Sequence, residues 1–138
     1  MAAGVYDKNW PGTGNWPFNT AFAGKFDGLR AFATRLGSVA ELETLVAGGI
    51  PPVCSVSYQL LYGRSTGVNN GHLVVCVGFT DQGDVVVNDP WADFQKGDKV
   101  RQVVSRQNFD RAWVHSHRTV YLIHPENWPV PRSPLGRW

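Results

Sequence analysis

His72 and Asp89 are the residues whose types and spacing can support acid–base chemistry in this chain. His72 opens the run His72-Leu73-Val74-Val75-Cys76-Val77-Gly78-Phe79, and Asp89 closes the run Asp84-Val85-Val86-Val87-Asn88. Thr80-Asp81-Gln82-Gly83 reads as a turn between them, so the two runs predict a β-hairpin whose outer ends open at one edge of a sheet. An imidazole there, with a carboxylate to fix its tautomer and support its charged form, is what a thiol or hydroxyl nucleophile needs from a general base. By spacing alone the plainer reading is a strand-end histidine and an ordinary Asp-Pro turn.

Hairpin register bears directly on the pair. A two-residue turn at Gln82-Gly83 sets Asp89 opposite Cys76 and leaves His72 four residues further along. Contact then requires a shift of about two residues through a bulge, for which Gly78 and Gly83 are the candidates, or a fold-back of Asp89 after the strand.

The nucleophile is harder to place. Cys76 lies on the same strand face as His72 but ~13 Å away at 3.3 Å per residue, too far for proton transfer. Cys54 sits in the β-branched run Val53-Cys54-Ser55-Val56-Ser57-Tyr58, with no helix N-terminus or cation beside it, and reads as a small buried hydrophobe. A disulfide between the two is open if their strands are neighbours. Ser55, Ser57 and Ser65 precede His72, but none lies in a Gly-x-Ser-x-Gly elbow. His115 and His117 offer two metal donors without a third nearby, and read better as a solvated turn. Trp10, Trp16, Phe18 and Phe22, with Trp113 and Trp128, suggest either a sugar-stacking platform or core and lid packing.

Several elements must position these residues. The Trp, Pro, Gly and Asn-rich start predicts repeated turns before a short helix near Thr20–Gly24, and Leu29–Leu36 a strand. Ser38-Val39-Ala40-Glu41 has the form of a capping box, followed by apolar residues at helical spacing and a Gly48-Gly49 stop. Val53–Tyr58 predicts a buried strand, and Gly63–Gly71 a polar loop. The arms of the hairpin are nearly all apolar, as in central strands covered on both faces. A strand at Val100–Val104, a helix at Ser105–Ala112 and a closing strand at Thr119–His124 complete the series. Helices interspersed with antiparallel strands, without a βαβα rhythm, predict an α+β domain on a twisted antiparallel sheet.

The chain has 138 residues, the size of one domain, and only 17% charged residues, which excludes a disordered or acidic-tail protein. Its net charge of +2, with no run of like charges, gives no basic stripe for nucleic acid. No apolar stretch approaches the ~20 residues that span a bilayer. The first residues carry neither a charged leader nor an apolar segment, so no export signal is expected in this sequence. Two cysteines do not make a disulfide scaffold.

The run Gly71-His72-Leu73-Val74-Val75-Cys76-Val77-Gly78-Phe79, followed by Val85-Val86-Val87-Asn88-Asp89-Pro90-Trp91, resembles the C-terminal half of papain-like cysteine peptidases. More narrowly it is similar to the bacteriocin-processing type, peptidase family C thirty-nine, and its secreted bacterial relatives. Gly14-Asn15-Trp16-Pro17-Phe18-Asn19 and Ile50-Pro51-Pro52-Val53 are also similar to segments of those relatives. The resemblance implies a papain-like fold over residues 1–125, with 126–138 as an irregular tail. It implies that His72 is the general base, that Asp89 orients it and that Trp91 shields their contact. A peptide or protein is the substrate it implies, no cofactor or metal is required, and an extracellular or cell-envelope location follows from the secreted relatives.

The sequence departs from the family in one respect. The family's nucleophilic cysteine begins a helix near the domain's start, preceded by an oxyanion-donating glutamine, whereas here no cysteine precedes Cys54 and Gln59 is the first glutamine. The expectation is therefore the base half of a peptidase site without its thiol half, inactive alone and completed by an upstream segment or a partner chain. The alternatives are a non-catalytic papain-like module that binds peptide or cell-wall material, and an exposed apolar sheet that associates with itself or another protein.

Overall fold

A computed structural model describes residues 2–10, 12–64 and 71–133. Most of the expected loop from Gly63 to Gly71, including Ser65, and the end of the chain beyond Ser133 lie outside the described residues. The elements run α1 (Trp16–Ala23), β1 (Leu29–Arg35), α2 (Val39–Ala47), β2 (Val53–Ser57), α3 (Tyr58–Leu61), β3 (Gly71–Phe79), β4 (Val85–Asn88), β5 (Arg101–Val104), α4 (Arg106–Val114) and β6 (Thr119–Pro125). The six strands form one sheet in the order β1-β6-β2-β3-β4-β5, with every neighbouring pair antiparallel. The α+β expectation holds. No helix among the described residues is long and apolar enough to cross a membrane.

Local chemistry explains where the helices begin and end. α1 starts four residues before the expected Thr20, because the Asn15 side chain accepts from Phe18 N–H and Pro17 falls in the first turn, where a missing N–H costs nothing. Asp7 holds that cap by accepting from the Asn15 amide at 2.8 Å. At α2, Ser38 accepts from Glu41 N–H as a capping box requires, but the Glu41 carboxylate reaches back to Gly37 N–H rather than to Ser38. Gly49, at φ +79°, then lets Ile50 N–H bond to Leu45 O and Gly49 N–H to Val46 O, the paired bonds of a Schellman stop.

The core lies on one face of the sheet. Cys54, Val56, Val74, Cys76, Val85, Val87, Val120 and Leu122 point to it, and Leu42 and Leu45 of α2 with Phe109, Ala112 and Trp113 of α4 complete the cluster. The other face differs from the expectation of full cover. Burial along β4 alternates between buried and half-buried, and Val103 on β5 is 60% exposed. The reason is placement: α1 packs mainly on β1 and β6 and reaches β3 only near Leu73, toward the far end of the sheet from β4 and β5. Residues 126–133 form neither strand nor helix, and are tied to the domain where Trp128 Nε1 donates to Gly48 O at 2.9 Å.

Candidate functional site

His72 stands second on β3, opposite the buried Val56 of β2. Two irregularities bring Asp89 to it. The hairpin loop has three residues, Asp81-Gln82-Gly83, closed by Thr80 N–H to Asp84 O, with Gly83 at φ +85°. A bulge between Cys76 and Gly78 leaves Val77 as the extra residue. Each displaces the register by one position relative to a two-residue turn. Cys76 consequently faces Val87 and Val75 faces Asn88, which sets Asp89 beside Val74 and diagonal to His72. A diagonal neighbour on one sheet face is within reach of a long side chain.

Within that frame the His72 Nε2–H donates to Asp89 Oδ1 at 2.8 Å. The carboxylate is 2% exposed and the imidazole 12%. Trp91 N–H also donates to Oδ1, at 2.8 Å, and the Tyr62 hydroxyl donates to Oδ2. The Trp91 bond is an Asx turn, in which Pro90 presets the backbone that brings the amide two residues on back to the carboxylate. Asp89 N–H donates to Val100 O at 2.8 Å, so its backbone is fixed against the start of β5 as well. The Nδ1 of His72 makes no hydrogen bond among the described residues, and the ring lines a cleft of about 290 Å³ together with Tyr58, Gln59, Gly71 and Trp91.

Two tyrosines were not anticipated as parts of this site. The apolar run predicts strand through Tyr58, but β2 ends at Ser57 and the chain turns into α3 at Tyr58. That turn puts Tyr58 against His72, with ring centroids 5.2 Å apart and planes at 88°, and Tyr62 against Asp89. The spacing of the tyrosines, four apart, was the available signal. Burial, followed by the bond to Asp89, pushes the Tyr62 phenol well above its ordinary value.

Trp91 does not shield the pair with its ring. The indole is 73% exposed and walls the cleft, and only its backbone amide meets Asp89. Pro90 and the Asx turn direct the chain outward at that point.

Neither cysteine enters the cleft. Cys54 faces Val74 across β2–β3 and Cys76 lies two residues further along β3, both fully buried and both free thiols. Burial raises both thiols, Cys76 to about 12. Ser57 is buried at the end of β2 and Ser55 is half-buried within it. His115 caps α4 and His117 follows in the turn at φ +56°, and no cluster of three potential metal ligands occurs among the described residues. Trp113 belongs to the core, while Trp10, Trp16, Phe18 and Trp128 are exposed and Phe22 packs edge-on to Phe26.

An antiparallel sheet with short flanking helices is the architecture of papain-like cysteine peptidase domains. Residues 1–121 match the model of the Peptidase_C39 like family, and the chain belongs to that family. Among solved structures it is similar to the crystal structure of a candidate C39-like peptidase from Bacillus anthracis, with a TM-score of 0.61 and 21% sequence identity. The likeness, which is one of fold, covers 79% of this chain and 58% of that one, so the chain spans less than two thirds of that relative's length. No curated protein matches.

Proposed function

We propose that this chain carries the base half of a cysteine-peptidase site, in which His72 is the general base and Asp89 its orienting residue, acting on a peptide bond. The bond from His72 Nε2 to Asp89 Oδ1 carries the reading, because it commits one ring nitrogen to a buried carboxylate and leaves Nδ1 for a nucleophile. With both cysteines of the sheet buried and protonated, the thiol comes from a segment upstream of this sequence or from a partner chain. His72 takes the thiol proton, the thiolate attacks the peptide carbonyl, and the departing amine receives that proton from the imidazolium. Water, deprotonated by His72, then releases the acid from the acyl-enzyme. Alone, the chain does not hydrolyse peptides.

A thiol-reactive peptidyl electrophile tests this on the chain as given and on a version extended by the residues encoded upstream. The expected result is no labelling of the chain alone, and labelling of the extended protein at a new thiol, lost in His72→Ala. Labelling of Cys54 in the chain alone, abolished by His72→Ala, would overturn the assignment.

A second reading, a non-catalytic module that holds peptide or cell-wall material, draws support from the exposed rings of Trp91, which walls the cleft, and Phe94, in a separate hollow that shares Trp91 with it. Peptide binding by an extended protein that takes no label would favour it.

A further inference from the structure

We propose that Tyr62 is a positioning residue for the His72–Asp89 pair, acting through the carboxylate rather than on substrate; this rests on the reading of His72 as the base. Four side chains close a ring of contacts. His72 donates to Asp89 Oδ1, Tyr62 donates to Oδ2, the Tyr62 ring packs on Tyr58 with centroids 5.1 Å apart, and Tyr58 returns edge-on to the His72 imidazole. Both tyrosines come from one short helix, Tyr58 at its start and Tyr62 at its C-cap.

The geometry gives Tyr62 a task that nothing else in the ring performs. A carboxylate held by Oδ1 alone can rotate about its Cβ–Cγ bond and exchange its oxygens, and each rotation breaks the bond to His72. Oδ1 already serves two donors, the His72 ring and the Trp91 amide, whereas Tyr62 is the donor that fixes Oδ2. Anchoring both oxygens fixes the plane of the carboxylate, and with it the ring nitrogen that carries the proton. The phenol, raised by its surroundings, remains a donor throughout the range in which a thiol–imidazole site operates. Tyr58 limits the ring from the other side: its edge-on contact resists a flip of the imidazole that would exchange Nδ1 with Nε2.

Nitrogen-15 NMR of the His72 ring in this chain tests the proposal without any activity. Wild-type protein is expected to show the proton on Nε2, with slow exchange to water. In Tyr62→Phe, exchange of that proton is expected to quicken by about tenfold, as loss of one hydrogen bond to a charged group implies, and the two tautomers to mix. A purely structural tyrosine would lower the melting temperature and leave the ring signature of the folded protein unchanged, and that result overturns the proposal. Should Tyr62→Phe fail to fold, site-specific 3-fluorotyrosine at position 62 replaces it: a more acidic phenol must shift the His72 Nε2–H resonance, and no shift overturns the proposal. If the wild-type protein carries its proton on Nδ1, the reading of His72 as an Asp89-oriented base fails first, independently of Tyr62.

Discussion

Asp89 meets His72 diagonally, from a position beside Val74, and not as its direct cross-strand partner. Side chains alternate between sheet faces, so a single-residue slip would send the carboxylate to the face opposite the imidazole. The three-residue loop at Gly83 and the bulge at Val77 each contribute one step of register. Together they return Asp89 to the face of His72, two positions closer than a two-residue turn allows.

Gly83→Ala tests the first of those steps. Gly83 holds φ +85°, and a methyl group added there would meet only the tip of Arg106, so the cost is backbone strain rather than a clash. A loss of about 1 kcal/mol is expected in urea unfolding. A neutral result would mean that the loop adopts another turn, and the His72 ring signature would then change with it.

The hairpin shows how far the sequence was legible. Both apolar arms, the turn and the outer positions of His72 and Asp89 follow from residue types alone. The register does not, because alternation of side chains fixes only its parity, and the two glycines marked where slips were allowed without stating their sizes. The same limit hid α3: Tyr58 continues a β-branched run by local propensity, yet it begins a helix directly after Ser57, the last residue of β2. An apolar run implies more cover on the second sheet face than the structure shows, since half-buried valines read like buried ones in sequence.

Asp89→Ala is expected to destabilise the domain on the order of 3 kcal/mol, because the Tyr62 hydroxyl and the Trp91 amide both lose their acceptor in a buried place. Asp89→Asn retains an acceptor oxygen and is expected to cost less. Denaturant midpoints of the two variants at neutral pH give the comparison, and equal losses would contradict it.

Trp91→Ala separates binding from folding. Its indole is mostly in solvent, so the stability change is expected to stay within about 0.5 kcal/mol. The same ring walls the cleft beside His72, so peptide affinity is expected to fall in any form of the protein that binds peptide. Unfolding curves and fluorescence titration measure the two effects independently.

Tyr62 makes stability fall at alkaline pH. Its phenol holds its proton more tightly in the folded state than at the ordinary value of 10.0, so below that value both states are protonated and its stabilisation is complete. As pH rises further, the unfolded chain loses the proton first and the folded state loses its advantage. Urea midpoints between about pH 9 and pH 11 are expected to decline less steeply in Tyr62→Phe than in wild type. A slope unaffected by the substitution would mean that Tyr62 ionises alike in both states.

The two thiols should be silent in the native protein. A thiolate is the reactive species, and burial holds Cys54 and Cys76 in the thiol form, Cys76 to about 12. Alkylation by iodoacetamide near pH 8, where an unfolded cysteine of pKa about 8.5 is partly ionised, should therefore follow the rate of unfolding and reach both residues together in denaturant. The His72 variants should leave that rate pattern intact, because neither sulfur lies in the cleft that the imidazole lines. Rapid alkylation of one thiol in folded protein, dependent on His72, would place a nucleophile inside the sheet and remove the need for a thiol from elsewhere.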